Sequence, residues 1–257
     1  MTNTADFFEN PYQKLHPRIA RKASKRRQRN EDREQRHSTR QDTHHRAEPL
    51  APRNAVQADL IEALNTGDQV FTVGPAGTGK TYVVARHAIR RLLDDRTAKI
   101  VVTRVAVSKK KHRLGFRPGN QDEKIADWLV PLLDGFKAET SAKTIEALQR
   151  AGRIEYVPFE TLRGRSFEDA IVICDEAQNL DFSDFKLFLT RIGERSQVIV
   201  TGDPDQCDLE GEESGLVKIL DMIEDYEIPA DVIEFDEDDV VRSETARLWV
   251  KAFNAEA

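Results

Sequence analysis

The chain has 257 residues, of which 39% are hydrophobic and 33% charged, and its net charge is −6. This length suits one well-formed core with an extension, or two small domains, and no run of about 18 apolar residues indicates a transmembrane helix. The first residues do not form the apolar segment of a secretory signal, and Cys174 and Cys207 lack metal-site spacing, so we expect a cytoplasmic protein without a disulfide.

The N-terminal residues differ in charge from the rest of the chain. Of the 39 Lys and Arg and the 45 Asp and Glu, residues 1–50 contain 12 and 7, so a basic segment precedes an acidic remainder. Residues 1–49 have few apolar side chains to offset the entropy lost on ordering. We therefore predict a disordered or solvated helical extension at 1–49 and a folded domain at 50–257, separated by Pro49 and Pro52.

Beyond Pro52 the pattern alternates between helices and strands. Asn54 can cap a helix that ends near Gly67, and another helix through Val83 and Leu92 follows the first strand. The predicted strands lie at 69–73, 99–103, 154–157, 170–174, 197–201 and 231–235. Further helices are predicted at 123–133, 142–148, 182–192, 215–223 and 243–253. Strands separated by helices indicate βαβ units, so we predict an α/β fold with a mostly parallel sheet.

A phosphate-binding motif joins the first predicted strand to the next helix. Its residues match G-x-x-x-x-G-K-[ST] in full, and they are Gly74, Pro75, Ala76, Gly77, Thr78, Gly79, Lys80 and Thr81. The glycines let backbone N–H groups turn toward phosphate oxygens, and the helix N-terminus adds a favourable dipole. We predict that Lys80 contacts the β- and γ-phosphates of ATP and that Thr81 ligates Mg²⁺.

Polar residues follow two later strands. Asp175 and Glu176 come directly after the apolar run 170–174, which is typical of a metal-holding acid and a neighbour that orients or deprotonates the attacking water. The alternative is a pair of acids that caps the next helix. Gln206 follows the strand at 197–201, at the edge where open α/β sheets bind ligands. It would sense the γ-phosphate, or lie in an ordinary turn.

The ordered series of motifs resembles the PhoH-like ATPases, the phosphate-starvation-inducible group of bacteria and phages. Beside the phosphate loop with Tyr82, it includes Leu-Gly-Phe-Arg-Pro-Gly at 114–119, Arg-Gly-Arg at 163–165, Asp-Glu-Ala-Gln-Asn at 175–179, Phe-Leu-Thr-Arg-Ile-Gly at 188–193, Thr-Gly-Asp at 201–203, Ser-Gly-Leu at 214–216 and Asp-Val-Val-Arg at 239–242. The resemblance covers about residues 50–257. It implies a RecA-like P-loop NTPase core similar to that of superfamily 1 helicases, ATP hydrolysis, RNA unwinding and assembly into homo-oligomeric rings such as hexamers.

The resemblance also implies roles for single residues. By motif position, Gln57 looks like an adenine-reading glutamine, Tyr82 belongs to the nucleotide site, and Arg242 looks like an arginine finger acting across a subunit boundary. Arginine suits that role because its planar guanidinium is always charged. From the residues alone, Gln57 is just a surface helix residue, and Arg242 could pair with the acids at 236–239.

Three basic sets are candidates for binding RNA or single-stranded DNA through phosphate charges. They are the tail at 18–29; Lys109, Lys110, Lys111 and Arg113 in one predicted loop; and Arg104 with Arg163 and Arg165. The tail could instead be a solubilising arm, and the loop a mobile surface turn. Two departures from the family pattern, Val105 in place of Pro and Arg117 in place of Leu, fall in the same region and leave the polymer substrate open.

Two classes of function fit these observations. The first is an ATP-driven enzyme acting on RNA or single-stranded DNA, which would need a ring or a partner because one RecA-like domain cannot alternate its grip on a strand. The second is an ATP-dependent switch or scaffold in which slow hydrolysis regulates a protein partner. A small-molecule kinase is disfavoured, because no acceptor-site lid is evident in the sequence.

Overall fold

A computed structural model of the chain describes residues 48–95, 98–104, 129–207 and 214–241, together with Thr245 and Trp249. The chain divides into two units, 1–46 and 47–257, and all described residues belong to the second. Residues 1–47 of the predicted N-terminal extension, the basic loop residues Lys109, Lys110, Lys111 and Arg113, and Arg242 therefore lie outside the described residues, as does most of the predicted helix at 243–253.

A six-stranded sheet forms the centre of the described domain. Its strands are β1 (Gln69–Val73), β2 (Lys99–Arg104), β3 (Ile154–Pro158), β4 (Ala170–Asp175), β5 (Gln197–Gly202) and β6 (Asp231–Glu234). Their order is β3-β2-β4-β5-β1-β6, and all five pairings are parallel. The prediction of an α/β fold with a mostly parallel sheet is confirmed.

Helices connect the strands and cover both faces of the sheet. They are α1 (Ala55–Thr66), α2 (Lys80–Asp94), α3 (Val130–Glu139), α4 (Ala142–Arg150), α5 (Phe182–Leu189) and α6 (Gly215–Asp225). The Asn54 side chain caps α1 by accepting a 2.8 Å hydrogen bond from Gln57 N, as predicted. None of the helices in the described part of the chain is long and apolar enough to cross a membrane.

Two predicted helix ends were wrong by three residues or more, and two others, at 148 and 223, were wrong by two residues. The helix predicted at 182–192 ends at Leu189, because residues after Thr190 turn toward Phe167, whose carbonyl accepts a 2.7 Å hydrogen bond from Gly193 N. The helix predicted at 123–133 is described only from Val130, and it continues to Glu139. Glycine weakens a helix interior, yet Gly135 is retained inside α3, since a Cβ there would lie only 2.5 Å from the Ala85 Cβ of α2.

Each face of the sheet carries its own hydrophobic core. Successive strand residues point to opposite faces, so Ile173 and Ile199 pack on the side of α1, α2 and α3, whereas Cys174 and Val200 pack on the side of α5 and α6. Strands buried on both faces read as continuous apolar runs. Cys174 is fully buried, and burial raises the pKa of its thiol, so its predicted role as a small core residue is confirmed.

Parallel pairing brings the carboxyl ends of four strands to one edge of the sheet. Val73 of β1 pairs with Gly202 of β5, and Arg104 of β2 pairs with Asp175 of β4. The phosphate loop, both predicted acids and the Gly202–Asp203 turn all follow these ends. Polar side chains from distant parts of the sequence therefore meet where such sheets bind ligands.

Candidate active site

The phosphate loop is shaped by glycines with backbone conformations that other residues rarely adopt. Gly74 has φ 124°, and a Cβ there would lie 2.1 Å from the carbonyl oxygen of Phe235, so a side chain does not fit. Helix α2 begins at Lys80 directly after Gly79, which has no side chain to cap it. The N–H groups at this helix start therefore face the pocket and suit an anionic ligand.

Lys80 places its ammonium group inside the loop. Its Nζ donates hydrogen bonds to the carbonyl oxygens of Gly74 at 2.6 Å and Pro75 at 2.8 Å. Burial lowers the pKa of Lys80, while the negative charges of Asp203, Glu176 and Asp175 oppose this shift. A cation partly removed from water and surrounded by acids is well placed to bind phosphate oxygens.

Asp175 ends β4 with a buried carboxylate, whose side chain is 4% exposed. Its Oδ1 accepts hydrogen bonds from the hydroxyls of Thr201 at 2.5 Å and Thr81 at 3.1 Å. Its Oδ2 lies 3.3 Å from Arg104 Nη1. Burial raises the pKa of Asp175, and the Thr201 hydrogen bond and the Arg104 charge oppose that rise.

Asp175 and Thr81 together fit a magnesium ion. Both offer oxygen donors, the ligand type that Mg²⁺ prefers, and Mg²⁺ at phosphate sites commonly uses only one or two protein ligands. Within the described ranges, no cluster of three or more His, Cys, Asp or Glu side chains is suited to a metal. The donor set therefore fits an ion that takes its remaining ligands from phosphate and water.

Glu176 has a left-handed backbone conformation, with φ 56° and ψ 44°. Such a conformation is uncommon for a residue with a long side chain, and it is found most often where function requires a particular geometry. The Glu176 carboxylate lines the pocket, is 41% exposed, and accepts a 2.7 Å hydrogen bond from Gln178 Nε2.

Gln178 links the two strand ends that face the phosphate loop. Its side chain is buried; Nε2 donates to Glu176, and Oε1 accepts a 3.1 Å hydrogen bond from Asp203 N. Asp203 in turn accepts from Gln206 Nε2 at 2.7 Å, and burial raises the pKa of Asp203. We did not assign a role to Gln178 from the sequence, although its position three residues after a metal-site acid was a usable signal.

These residues surround a pocket of about 350 Å³. Nine predicted site residues line it, namely Ala76, Gly77, Gly79, Lys80, Thr81, Tyr82, Asp175, Glu176 and Gln206. Gln57 is not part of the lining: its amide donates to Thr78 O at 2.8 Å and accepts from Arg53 N at 3.0 Å, so it supports the loop from behind. The adenine-reading role of Gln57 stays a prediction.

The three arginines grouped as nucleic-acid contacts have different surroundings. Arg104 lies in the pocket region, where it pairs with Asp175 and has Nη2 3.7 Å from Glu176 Oε1. Arg165 pairs with Glu155 and stacks over the Phe167 ring, whereas Arg163 is exposed on the turn before β4. Binding of nucleic acid by these residues stays a prediction.

Comparison with protein families gives a match over residues 49–254 to the model described as PhoH-like protein. The PhoH-like protein of Bacillus subtilis is 40% identical over 199 residues, which are 77% of this chain and 62% of that protein. Protein PhoH of Escherichia coli K12 is 37% identical over 209 residues, 80% of this chain and 58% of that protein. The chain thus spans about three fifths of the length of these relatives.

Among solved structures, the chain is similar to the large terminase of the thermophilic bacteriophage D6E. The TM-score is 0.51 at 12% identity, and the match covers 78% of this chain and 50% of the terminase. A further crystal form of that terminase gives a TM-score of 0.50. At this identity the likeness concerns the fold alone, and it agrees with a RecA-like P-loop NTPase core.

Proposed function

This chain belongs to the PhoH-like protein family, and we propose that it binds ATP together with Mg²⁺ and hydrolyses it to ADP and phosphate. One observation carries the proposal: the phosphate loop and the two acids at the end of β4 face each other across a single pocket. Phosphoryl transfer requires little of a protein beyond positioning and charge stabilisation. Both are available from residues that line this pocket.

The phosphate loop would hold the triphosphate. N–H groups at the start of α2 point toward the pocket, and the helix dipole favours negative charge there. The phosphate oxygens would replace the carbonyls of Gly74 and Pro75 as partners of Lys80. Lys80 then stabilises the charge that develops on the transferred phosphoryl group.

Thr81 and Asp175 would hold the magnesium ion between the loop and β4. When bound, Mg²⁺ neutralises charge on the β- and γ-phosphate oxygens. Thr201 keeps Asp175 Oδ1 in place through its 2.5 Å hydrogen bond. The carboxylate therefore needs little rearrangement to serve as a ligand.

Glu176 would act on the attacking water. A general base must lie within hydrogen-bonding reach of the proton that it accepts, and Glu176 is the half-exposed acid beside the metal-binding pair. Gln178 fixes one of its oxygens, and Gln206 stands across the pocket on the Asp203 turn. We assign water activation to Glu176 and γ-phosphate sensing to Gln206.

The base of ATP would lie near Tyr82 and Gln57. The Tyr82 ring lines the pocket, is 40% exposed, and has the Arg86 guanidinium 5.8 Å from its centre. An exposed ring beside a nucleotide pocket suits stacking against a purine. The Gln57 amide donates a hydrogen bond to Thr78 O in the phosphate loop. If this amide also contacted the adenine, adenine binding would affect the position of the loop.

The test is steady-state hydrolysis by the full chain, with two variants. Lys80→Ala should abolish tight ATP binding, whereas Glu176→Gln should retain binding and lower turnover about 100-fold or more. Glu194→Gln is a matched control, because the Glu194 carboxylate is 88% exposed and remote from the pocket lining. Normal turnover by Glu176→Gln would refute its role as the catalytic carboxylate.

We further propose that hydrolysis is coupled to RNA or single-stranded DNA in a homo-oligomeric ring, with Arg242 completing the site of a neighbouring copy. Arg163 is exposed, and an exposed arginine suits contact with a phosphate of the polymer. RNA should stimulate hydrolysis more at low salt than at high salt, and the particle mass should rise with ATP. Hydrolysis indifferent to RNA would instead favour an ATP-dependent switch acting on a protein partner.

A further inference from the structure

Arg104 lies where the metal side of the pocket meets the sheet. It is the last residue of β2, and parallel pairing sets it directly opposite Asp175. Its guanidinium contacts both acids, with Nη1 3.3 Å from Asp175 Oδ2 and Nη2 3.7 Å from Glu176 Oε1. One cation therefore contacts both the predicted metal ligand and the predicted catalytic base.

The two oxygens of Asp175 have different partners. Oδ1 accepts from the hydroxyls of Thr201 and Thr81, which carry no charge, whereas Oδ2 has the guanidinium. The Asp175 carboxylate is 4% exposed, and charged groups that are buried in folded proteins are paired with an opposite charge. Since the Lys80 ammonium donates to Gly74, Pro75 and Thr78, the charge in contact with Asp175 comes from Arg104.

The Arg104 side chain is 28% exposed, so it can withdraw toward water without leaving a fully buried charge behind. A divalent cation bound by Asp175 would lie within a few ångström of this guanidinium. Two positive charges so close repel each other strongly in a partly buried site. Arg104 and a metal ion therefore compete for the charge of Asp175.

We propose that Arg104 is a positioning residue that supplies the positive charge for Asp175 until Mg²⁺ replaces it, and that Arg104 leaves Asp175 when Mg·ATP binds. This inference rests on the proposed ATP site. Arg104 thereby raises the Mg²⁺ concentration that the site requires, and it holds Glu176 in an ion pair until the metal is bound.

The test measures nucleotide binding rather than turnover. A fluorescent ATP analogue is titrated onto the full chain at pH 8, in EDTA and across a range of Mg²⁺ concentrations, for the wild type, Arg104→Gln and Arg104→Lys. We expect Arg104→Gln to lower the half-saturating Mg²⁺ concentration about threefold to fivefold, the upper end of the range for one partly exposed ion pair. In EDTA, Arg104→Gln should bind the ATP analogue more weakly than the wild type does, because the unpaired Asp175 carboxylate repels the phosphates.

Arg104→Lys keeps a positive charge but loses the planar guanidinium that contacts both acids, so its half-saturating Mg²⁺ concentration should lie between those of the wild type and Arg104→Gln. Arg195→Gln is the matched control, because Arg195 forms an exposed ion pair with Asp169 outside the pocket lining, and it should leave the Mg²⁺ requirement unchanged. If Arg104→Gln does not fold, Arg104→Met, which also removes the charge, is measured in its place: a decrease of about threefold or more in the half-saturating Mg²⁺ concentration supports the proposal, and a smaller change overturns it.

The possible failures of the inference can be told apart from a failure of the proposed function. Wild-type protein that binds no ATP refutes the proposed function, and the role of Arg104 with it. A folded Arg104→Gln variant with wild-type Mg²⁺ dependence refutes the role of Arg104 alone. If that variant instead loses RNA binding at unchanged Mg²⁺ dependence, Arg104 is a nucleic-acid contact.

Discussion

The Thr81 hydroxyl donates a 3.1 Å hydrogen bond to Asp175 Oδ1, although 94 positions of the chain separate the two residues. The bond joins the first turn of α2 to the end of β4. It exists because β1 and β4 both pair with β5, so their carboxyl ends lie close together. The fold alone therefore brings the two predicted metal ligands into contact.

Thr81→Ala should remove a metal ligand while leaving the shape of the phosphate loop intact. We expect kcat/KM for Mg·ATP to fall about tenfold or more, because an oxygen donor to Mg²⁺ is lost. Thr81→Ser keeps the hydroxyl and should retain most of the activity. Steady-state kinetics at several Mg²⁺ concentrations checks this, and equal losses in the two variants would contradict metal ligation by the hydroxyl.

Gln178→Leu should separate positioning of Glu176 from nucleotide binding. We expect kcat to fall about tenfold with KM little changed, because misplacing a catalytic group by a fraction of an ångström is costly. Thermal unfolding should also show destabilisation of about 1–3 kcal/mol, since Asp203 N loses its buried acceptor. Ser214→Ala removes a neighbouring contact to Gln178 O and should reduce stability without changing kcat.

Glu139→Ala should strongly destabilise the protein. Glu139 of α3 is 3% exposed and pairs with Arg86 of α2, which is 9% exposed, so the variant leaves a buried cation without its carboxylate. Breaking a buried pair on one side costs about 3–5 kcal/mol. Arg90→Ala removes the outer, half-exposed partner of Glu139 and should cost no more than about 1 kcal/mol. Urea unfolding of both variants compares the two contributions.

Stability should decrease in mild acid through His87. Burial lowers the pKa of His87, the hydrogen bond with Gln197 opposes this shift, and the charges of Arg91 and Arg90 reinforce it. The unfolded chain therefore binds a proton near the ordinary His pKa of about 6.5, whereas the folded chain binds one only at lower pH. The contribution of neutral His87 to the stability of the fold is fully present above about pH 6.5. It is lost as the pH falls from there through the lowered pKa of His87 in the folded protein.

Melting temperatures between pH 7.5 and 5 test this expectation. His87→Gln keeps a side chain that can hydrogen-bond to Gln197 but cannot titrate. The variant should lose part of the decline in melting temperature that the wild type shows below about pH 6.5. Identical pH profiles for the two proteins would contradict a proton-linked contribution from His87.

The strands and the phosphate loop were predictable, because each is determined by residues that are close together in the sequence. All six strands begin at the predicted residues, because runs such as 170–174 are apolar throughout and parallel strands are buried on both faces. The phosphate loop was equally clear, since its glycines and Lys80 occupy fixed positions in one continuous motif. Helix ends were less predictable: α3 continues through Gly135 because of a close contact with α2.

The contacts that complete the site depend on strand order, which the sequence does not state. We predicted Arg104 as a nucleic-acid contact from its charge, and its position opposite Asp175 follows only from the pairing of β2 with β4. Gln178 was visible as part of a motif, but its bond to Asp203 N requires β4 and β5 to be neighbours. Such relationships arise between segments that are remote in the chain.

The strand order also constrains how the protein can be made. The strand β1 leads into the phosphate loop, and its two neighbours are β5 and β6, so Gln69 pairs with Val198 and Val70 with Asp231. A ribosome elongates the chain from the N-terminus at about 5–20 residues per second. The strand β1 therefore gains its two neighbours only after β5 and β6 have been synthesised, so the phosphate loop emerges well before the strands that hold it in place.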